Sequence, residues 1–143
     1  MGSYSAAALL GLPVRVNAIQ LGRPVDLLVD PVGWRALGFV VESGDGAARF
    51  LPFAASEPGS DEISVGSALM LFEDVAFYRK RGVSLRALIG EEIQAGGKLV
   101  GTLVDVVIDR AGQIRELELE QNGVAVHVPA SEADIARSRV TAA

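Results

Sequence analysis

The chain has 143 residues, half of them hydrophobic and 22% charged, with 16 glycines, a net charge of −5 and no cysteine. That composition belongs to a folded globular chain rather than a disordered or fibrous one, and the missing thiols exclude disulfides, cysteine nucleophiles, iron–sulfur clusters and cysteine-ligated zinc. Residues 1–75 hold four arginines against nine acids, whereas residues 76–143 hold nine basic and nine acidic side chains, so broad binding to phosphate backbones is disfavoured on the first half.

Met1 to Ala8 is small and polar and is placed outside the fold. From Leu12 to Ala18 the alternation of Val14, Val16 and Ala18 with Arg15 and Asn17 predicts a half-buried strand. Arg23 to Val29 predicts a second, ending at the turn Asp30-Pro31-Val32-Gly33, in which Asp accepts backbone hydrogen bonds and Pro presets φ. The return strand is predicted over Ala36 to Glu42, followed by the turn Ser43-Gly44-Asp45-Gly46 and a strand from Ala48 to Phe53 that Pro52 closes. Ala54 to Glu62 reads as a polar surface loop, with Ile63 to Val65 and Ala68 to Phe72 as the last strands of this half.

Glu73 to Val83 reads as a linker carrying Tyr78-Arg79-Lys80-Arg81. Ser84 is placed as the cap of a short helical turn through Ile89, with Gly90 after it. Glu92 to Ala95 and Lys98 to Ile108 are strands joined by Gly96-Gly97, and Asp109-Arg110-Ala111-Gly112 repeats the earlier turn. Over Ile114 to Gln121, Leu117 and Leu119 face a core while Glu116, Glu118 and Glu120 face water. Asn122-Gly123 is a strong hairpin signal leading into Val124 to Pro129; Ala130 to Ile135 is expected as a helical turn capped by Ser131, and Ser138 to Thr141 as a closing edge strand.

The chain states one pattern twice. Gly22-Arg23-Pro24-Val25-Asp26-Leu27-Leu28-Val29-Asp30 aligns without a gap on Gly101-Thr102-Leu103-Val104-Asp105-Val106-Val107-Ile108-Asp109 at an offset of 79, which also matches Gly11 with Gly90, Gly33 with Gly112 and Gly44 with Gly123. Self-similarity at one period means one supersecondary unit used twice. The domain reading is a first repeat over 9–75, a linker over 76–84 and a second repeat over 85–143. Modules this small bury a modest share of their surface, so they gain from packing on each other or, as a homodimer, on another copy.

The residues that carry the pattern resemble the PRC-barrel family: Leu88, Gly90, Gly101, Val104, Asp105, Asp109, Gly112, Leu119, Val128 and Pro129 in the second copy, and Leu10, Gly11, Gly22, Val25, Asp26, Asp30, Gly33, Val40, Leu51 and Pro52 in the first. The resemblance implies an all-β chain of two tandem small antiparallel β-barrels with short helical turns. It further implies a non-enzymatic adaptor that binds other proteins.

Against that reading, other chemistries find little to stand on. Asp105 and Asp109, like Asp26 and Asp30, lie four residues apart on a strand, about 13 Å at about 3.3 Å per residue, too far to share one ion with ligand distances near 2–2.6 Å. His127 is the only histidine and alternates with valines on a strand, so no catalytic residue is assigned. Neither a phosphate-binding loop nor a dinucleotide fingerprint occurs, so no cofactor and no metal is expected. The residues singled out as partner contacts are Trp34, Tyr78, Arg79, Lys80 and Arg81: the basic run beside Phe77 and Tyr78 suits an acidic partner, RNA or an anionic lipid surface, and an exposed Trp34 suits a protein contact. Two further functions are kept beside the adaptor: an RNA- or ribosome-associated factor, and a binder of a small ligand in the groove between the barrels. No apolar run approaches the roughly 20 residues of a membrane-spanning helix, and a cytoplasmic location is expected.

Overall fold

The computed structural model describes residues 2–136. In chain order the elements are β1 (Ser3–Ser5), α1 (Ala6–Leu9), β2 (Val14–Val16), β3 (Ile19–Asp30), β4 (Arg35–Ser43), β5 (Ala48–Pro52), β6 (Ser56–Pro58), β7 (Ile63–Val65), α2 (Val75–Arg79), β8 (Val83–Ser84), α3 (Leu85–Leu88), β9 (Glu92–Ala95), β10 (Lys98–Asp109), β11 (Ile114–Gln121), β12 (Val124–Pro129) and β13 (Ala133–Ile135). Single 3₁₀ turns cover Phe53–Ala55, Ala68–Met70 and Ala130–Glu132. The strands form two curled sheets, ordered β5-β4-β3-β2-β7-β6 and β12-β11-β10-β9-β13. The expected all-β class holds, with one parallel pair, β2 on β7, among otherwise antiparallel strands.

The duplicated stretch forms the two long strands β3 and β10, and each is bent by bulges at matching places. Register shifts between Pro24 and Asp26 and between Leu28 and Val29 in β3 recur between Leu103 and Asp105 and between Val107 and Ile108 in β10. A bulge adds an unpaired residue, bends its strand and increases twist, which is how a flat ribbon becomes half of a barrel. The glycine that opens each copy is required by the next strand: a Cβ on Gly22 would collide with the Glu42 carbonyl and one on Gly101 with that of Glu120. One continuous buried cluster draws on both sheets, including Leu27, Phe39 and Leu51 from the first and Leu103, Leu117 and Leu119 from the second.

The strongest departure from expectation is at the N-terminus. Met1 to Ala8 was placed outside the fold, yet β1 pairs with β10 (Ser5 opposite Val107) and α1 buries Ala6 and Leu9. β8 and α3 repeat this on the other sheet, with Ser84 opposite Leu28 on β3 and Leu85 and Leu88 buried. Ser5 and Ser84 are 79 residues apart, as are Val107 and Leu28. Each copy therefore lends a strand-and-turn strap to the sheet of the other, and the two contacts are related by an approximate two-fold of the kind that pairs like surfaces. The residue matching Leu88 is thus Leu9, not Leu10: both end their helical turn and are buried.

The straps end on buried carboxylates. Ser5 Oγ donates to Asp105 Oδ2 at 2.5 Å and the Ala7 amide to Asp105 Oδ1 at 3.1 Å. On the first sheet Ser84 Oγ donates to Asp26 Oδ2, and the Arg86 amide to Asp26 Oδ1 at 3.2 Å. Each Asp also accepts its own successor's amide at 2.8 Å, from Leu27 and Val106. Each of these carboxylates thus accepts backbone amides, and most of its donors come from the other half.

The offset of 79 does not persist. Leu117 faces Val128 as Phe39 faces Leu51, offsets of 78 and 77, because the first copy has an extra residue in the turn after β3 and the second closes its hairpin with one fewer. Leu119 therefore corresponds to Val41 rather than Val40, and Gly123 to Gly46 rather than Gly44, both glycines having positive φ. The extra turn residue is Gly33, and Trp34 stands where Gly112 does: both have positive φ, 52 and 91, and each gives its carbonyl to the other half, Trp34 to the Ile114 amide and Gly112 to the Ala36 amide; for a non-glycine that conformation costs about 1–3 kcal/mol. Trp34 is held by burial, by a bond from Nε1 to the Ala133 carbonyl at 3.0 Å and by the Ile114 amide on its own carbonyl at 2.8 Å.

Other expectations are corrected in detail. Ser56–Pro58 is a strand of the first sheet and pairs with β7 rather than lying in a surface loop. Ala68 to Phe72 is a 3₁₀ turn and an isolated bridge from Phe72 to Phe50, not a strand. After the 3₁₀ turn at Ala130–Glu132, which has no side-chain cap, Ala133–Ile135 is β13. The strand expected over Ser138 to Thr141 lies outside the described residues.

Replacing Asp26 by Ala removes the acceptor of two amides and one hydroxyl and is expected to cost about 2–3 kcal/mol, with Asp105→Ala alike; urea denaturation measures both. Glu118→Ala, on the water-facing side of β11, is expected to stay within about 0.5 kcal/mol of the parent.

Asp109 titrates below the ordinary carboxylate range: burial pushes it up, but the Gln113 amide, the Arg115 guanidinium and the Ala111 amide outweigh that. Asp45, held by the Ala47 amide and Arg49, and Glu62, held by Ser64 and Arg15, are lowered too. Groups whose folded pKa lies below the unfolded value add stability above about pH 4 and lose it as pH falls through the folded value. Urea midpoints are therefore expected to drop below about pH 4, and Asp109→Asn to flatten part of that drop.

Candidate functional site

Four surfaces compete for a role, and their chemistry separates them. The first is built by α2. Asp74 caps this helix through the Phe77 amide at 3.2 Å, and Val75 and Tyr78 turn inward onto the outer face of the first sheet. There Leu28, Val40, Phe50 and Val75 form a second, smaller core. Tyr78 stacks on Phe50 with ring centroids 4.0 Å apart and planes 9° from parallel, and on Phe72 at 6.1 Å. The helix therefore covers a sheet face that would otherwise be an apolar slab.

What α2 turns outward is cationic and aromatic. Arg79, Lys80 and Arg81 are exposed, and none makes a salt bridge among the described residues. Arg81 lies over the Phe77 ring at 4.2 Å from its centroid. Phe77 is 45% exposed and Phe72 38%. The structure thus brings Tyr78, Arg79, Lys80 and Arg81 together at the end of α2 and in the two residues after it, with Tyr78 as the anchor beneath rather than a contact. Trp34, expected as a partner contact, is 4% exposed and holds the junction of the two sheets, so it is withdrawn from that role. Phe77 joins the patch as expected of the cluster; Phe72 was missed, hidden by the expectation of a strand over Ala68 to Phe72.

The second surface is a groove of about 370 Å³ between α1 and α3, lined by residues that include Leu10, Leu85, Ile89, Val104 and Asp105. Ile89 and Val104 are each 42% exposed there. Its polar groups are already engaged: Asp105 by the strap, and Arg86, whose Nε donates to the Val25 carbonyl. The third is a recess of about 270 Å³ beside Trp34 and Gln113 where the two turns meet. Gln113 Nε2 there donates to the carbonyls of Gly33 and Trp34 at 3.0 Å each.

The fourth is the outer face of β11. It corresponds to the face that α2 covers on the first sheet, but it is written in polar residues: Glu118 stands where Val40 does and His127 where Phe50 does. His127 Nδ1 lies 3.2 Å from Glu116 Oε1 at an exposed position. Among the described residues no group of three or more His, Asp or Glu side chains is arranged to hold a metal ion.

With the geometry in view, comparison with known families is informative. The family model of the PRC-barrel domain matches residues 81–143. The second half of this chain is a PRC-barrel domain. The match takes in β8 and α3, so the PRC-barrel unit includes a strap that seats on the neighbouring sheet. No curated protein matches the chain, and among the described residues no helix is long and apolar enough to cross a membrane.

Removing the Tyr78 ring opens a hole over Phe50, so Tyr78→Ala is expected to cost about 3 kcal/mol, whereas Phe77→Ala, at the surface, should cost less than about 1 kcal/mol. Chemical denaturation distinguishes the two residues as anchor and contact.

Proposed function

We propose that this protein is a non-enzymatic interaction module, two PRC-like barrels forming a rigid base on which α2 presents a docking patch to an acidic protein partner. The observation that carries this reading is the exposed pair Phe72 and Phe77 with Arg79, Lys80 and Arg81 beside them. Aromatic and arginine side chains are enriched where interfaces bind tightly, and three unpaired cations favour an acidic partner through steering as well as contact. The first repeat is read as a second PRC-like barrel because its bulges, opening glycine and strap seat recur at matching positions. Absence of cysteine fits a cytoplasmic location. A small apolar ligand is the second reading, favoured by the groove holding Ile89 and Val104, though its polar groups are occupied.

A photoreactive residue at position 77 in the native host should cross-link one acidic partner. Arg79→Glu with Arg81→Glu should weaken its binding by at least about tenfold, more at low salt, while leaving the melting temperature unchanged. Unaltered affinity in that variant excludes the patch, and recovery of RNA alone favours a nucleic-acid role.

A further inference from the structure

The two straps are different sequences on equivalent seats. Ser5-Ala6-Ala7-Ala8-Leu9-Leu10 docks on β10 and Ser84-Leu85-Arg86-Ala87-Leu88-Ile89 on β3. What they share is what the seat reads: a short strand on the sheet edge, a serine whose hydroxyl reaches the buried Asp while capping its own turn, and a leucine four residues on that enters the core. Alanine at position 6 and leucine at 85 are both accepted. Each seat belongs to the other half of the molecule, and α1 joins β2 only through residues 10–13. The α1 flank is open to water along the groove between α1 and α3.

We infer that the seat on β10, with Asp105 as its recognition group, accepts this same serine-and-leucine strap from a second copy of the chain, so that copies join by exchanging straps. This uses no residue of α2 and stands apart from the docking patch. The added strand supplies main-chain pairing and the Asp and core hollow supply selectivity, as in other strand-addition sites. A second copy presents the same atoms to Asp105 as the chain's own segment does, and exchange of an identical element is a low-cost route to association.

The test is a fluorescent peptide of residues 2–12 titrated into the full chain and followed by anisotropy. In the parent protein the tethered strap competes at an effective concentration of about a millimolar, so half-saturation is expected near that level. Leu9→Ala in the chain weakens the competitor and should tighten peptide binding about tenfold or more; Ser5→Ala, a milder change, serves if Leu9→Ala does not fold. A peptide with both substitutions should bind neither chain. Mixing an Asp105→Ala chain, whose strap has lost its hydrogen-bonding seat, with a Leu9→Ala chain should give a one-to-one heterodimer by light scattering. The inference is overturned if folded Ser5→Ala or Leu9→Ala chains bind the peptide no better than the parent, if the doubly substituted peptide binds equally well, or if the mixture remains monomeric.

Discussion

A carboxylate buried in a sheet interior has to be given donors, and in each half of this molecule most of those donors arrive from the other half. Asp26 and Asp105 are 7% and 9% exposed, and an unsatisfied charge at such sites costs more than most single contacts return. Ser84 and the Arg86 amide serve one; Ser5 and the Ala7 amide serve the other. The pairing of the two sheets is therefore written into their individual folding: neither reaches a satisfied core without the strap of its neighbour. The exposed ion pairs, such as Arg15 with Glu62, are minor by comparison, since such pairs contribute about 0–1 kcal/mol.

Duplication need not leave two equal surfaces. The inner faces of the sheets both stay apolar because they share one core, though the residues differ, as Phe39 against Leu117 shows, whereas the outer faces have diverged into opposite solutions of the same problem. On the first sheet Val40 and Phe50 require a cover and α2 provides it; on the second, Glu118 and His127 occupy the corresponding places and need none. The cover itself became the most distinctive surface of the molecule, since a helix that packs Val75 and Tyr78 inward has to turn Phe77 and the three cations outward. Function, on this reading, attaches to what was added between the repeats rather than to the repeat itself.

Much of this was legible in the chain. Alternation placed Leu117 and Leu119 inward and the three glutamates outward, and Asn122-Gly123 marked its hairpin. The duplicated Gly-x-x-Val-Asp stretch pointed to the PRC-barrel family through local features: a glycine where a neighbouring carbonyl leaves no room and an Asp with amides to accept. What escaped was either too short or too distant in sequence. Three-residue strands such as Ser3–Ser5 and Ser56–Pro58 carry no periodicity to detect, and Ala68 to Phe72 is apolar enough to pass for a strand although it makes a turn. Trp34 looked like a surface anchor because nothing local reveals that its turn meets the Gly112 turn of the other half and buries the ring at their junction.

By itself the sequence determined the all-β class, the repeated unit and its turns, because side-chain alternation and turn chemistry act between residues a few positions apart. The direction of the straps and the burial of Trp34 were decided by contacts across about 100 residues of chain, and the cover that α2 lays on Phe50 by packing between elements that only the fold brings together. Such contacts depend on which surfaces remain unsatisfied once every local element has formed. That is a property of the assembled sheets, and no single segment carries it.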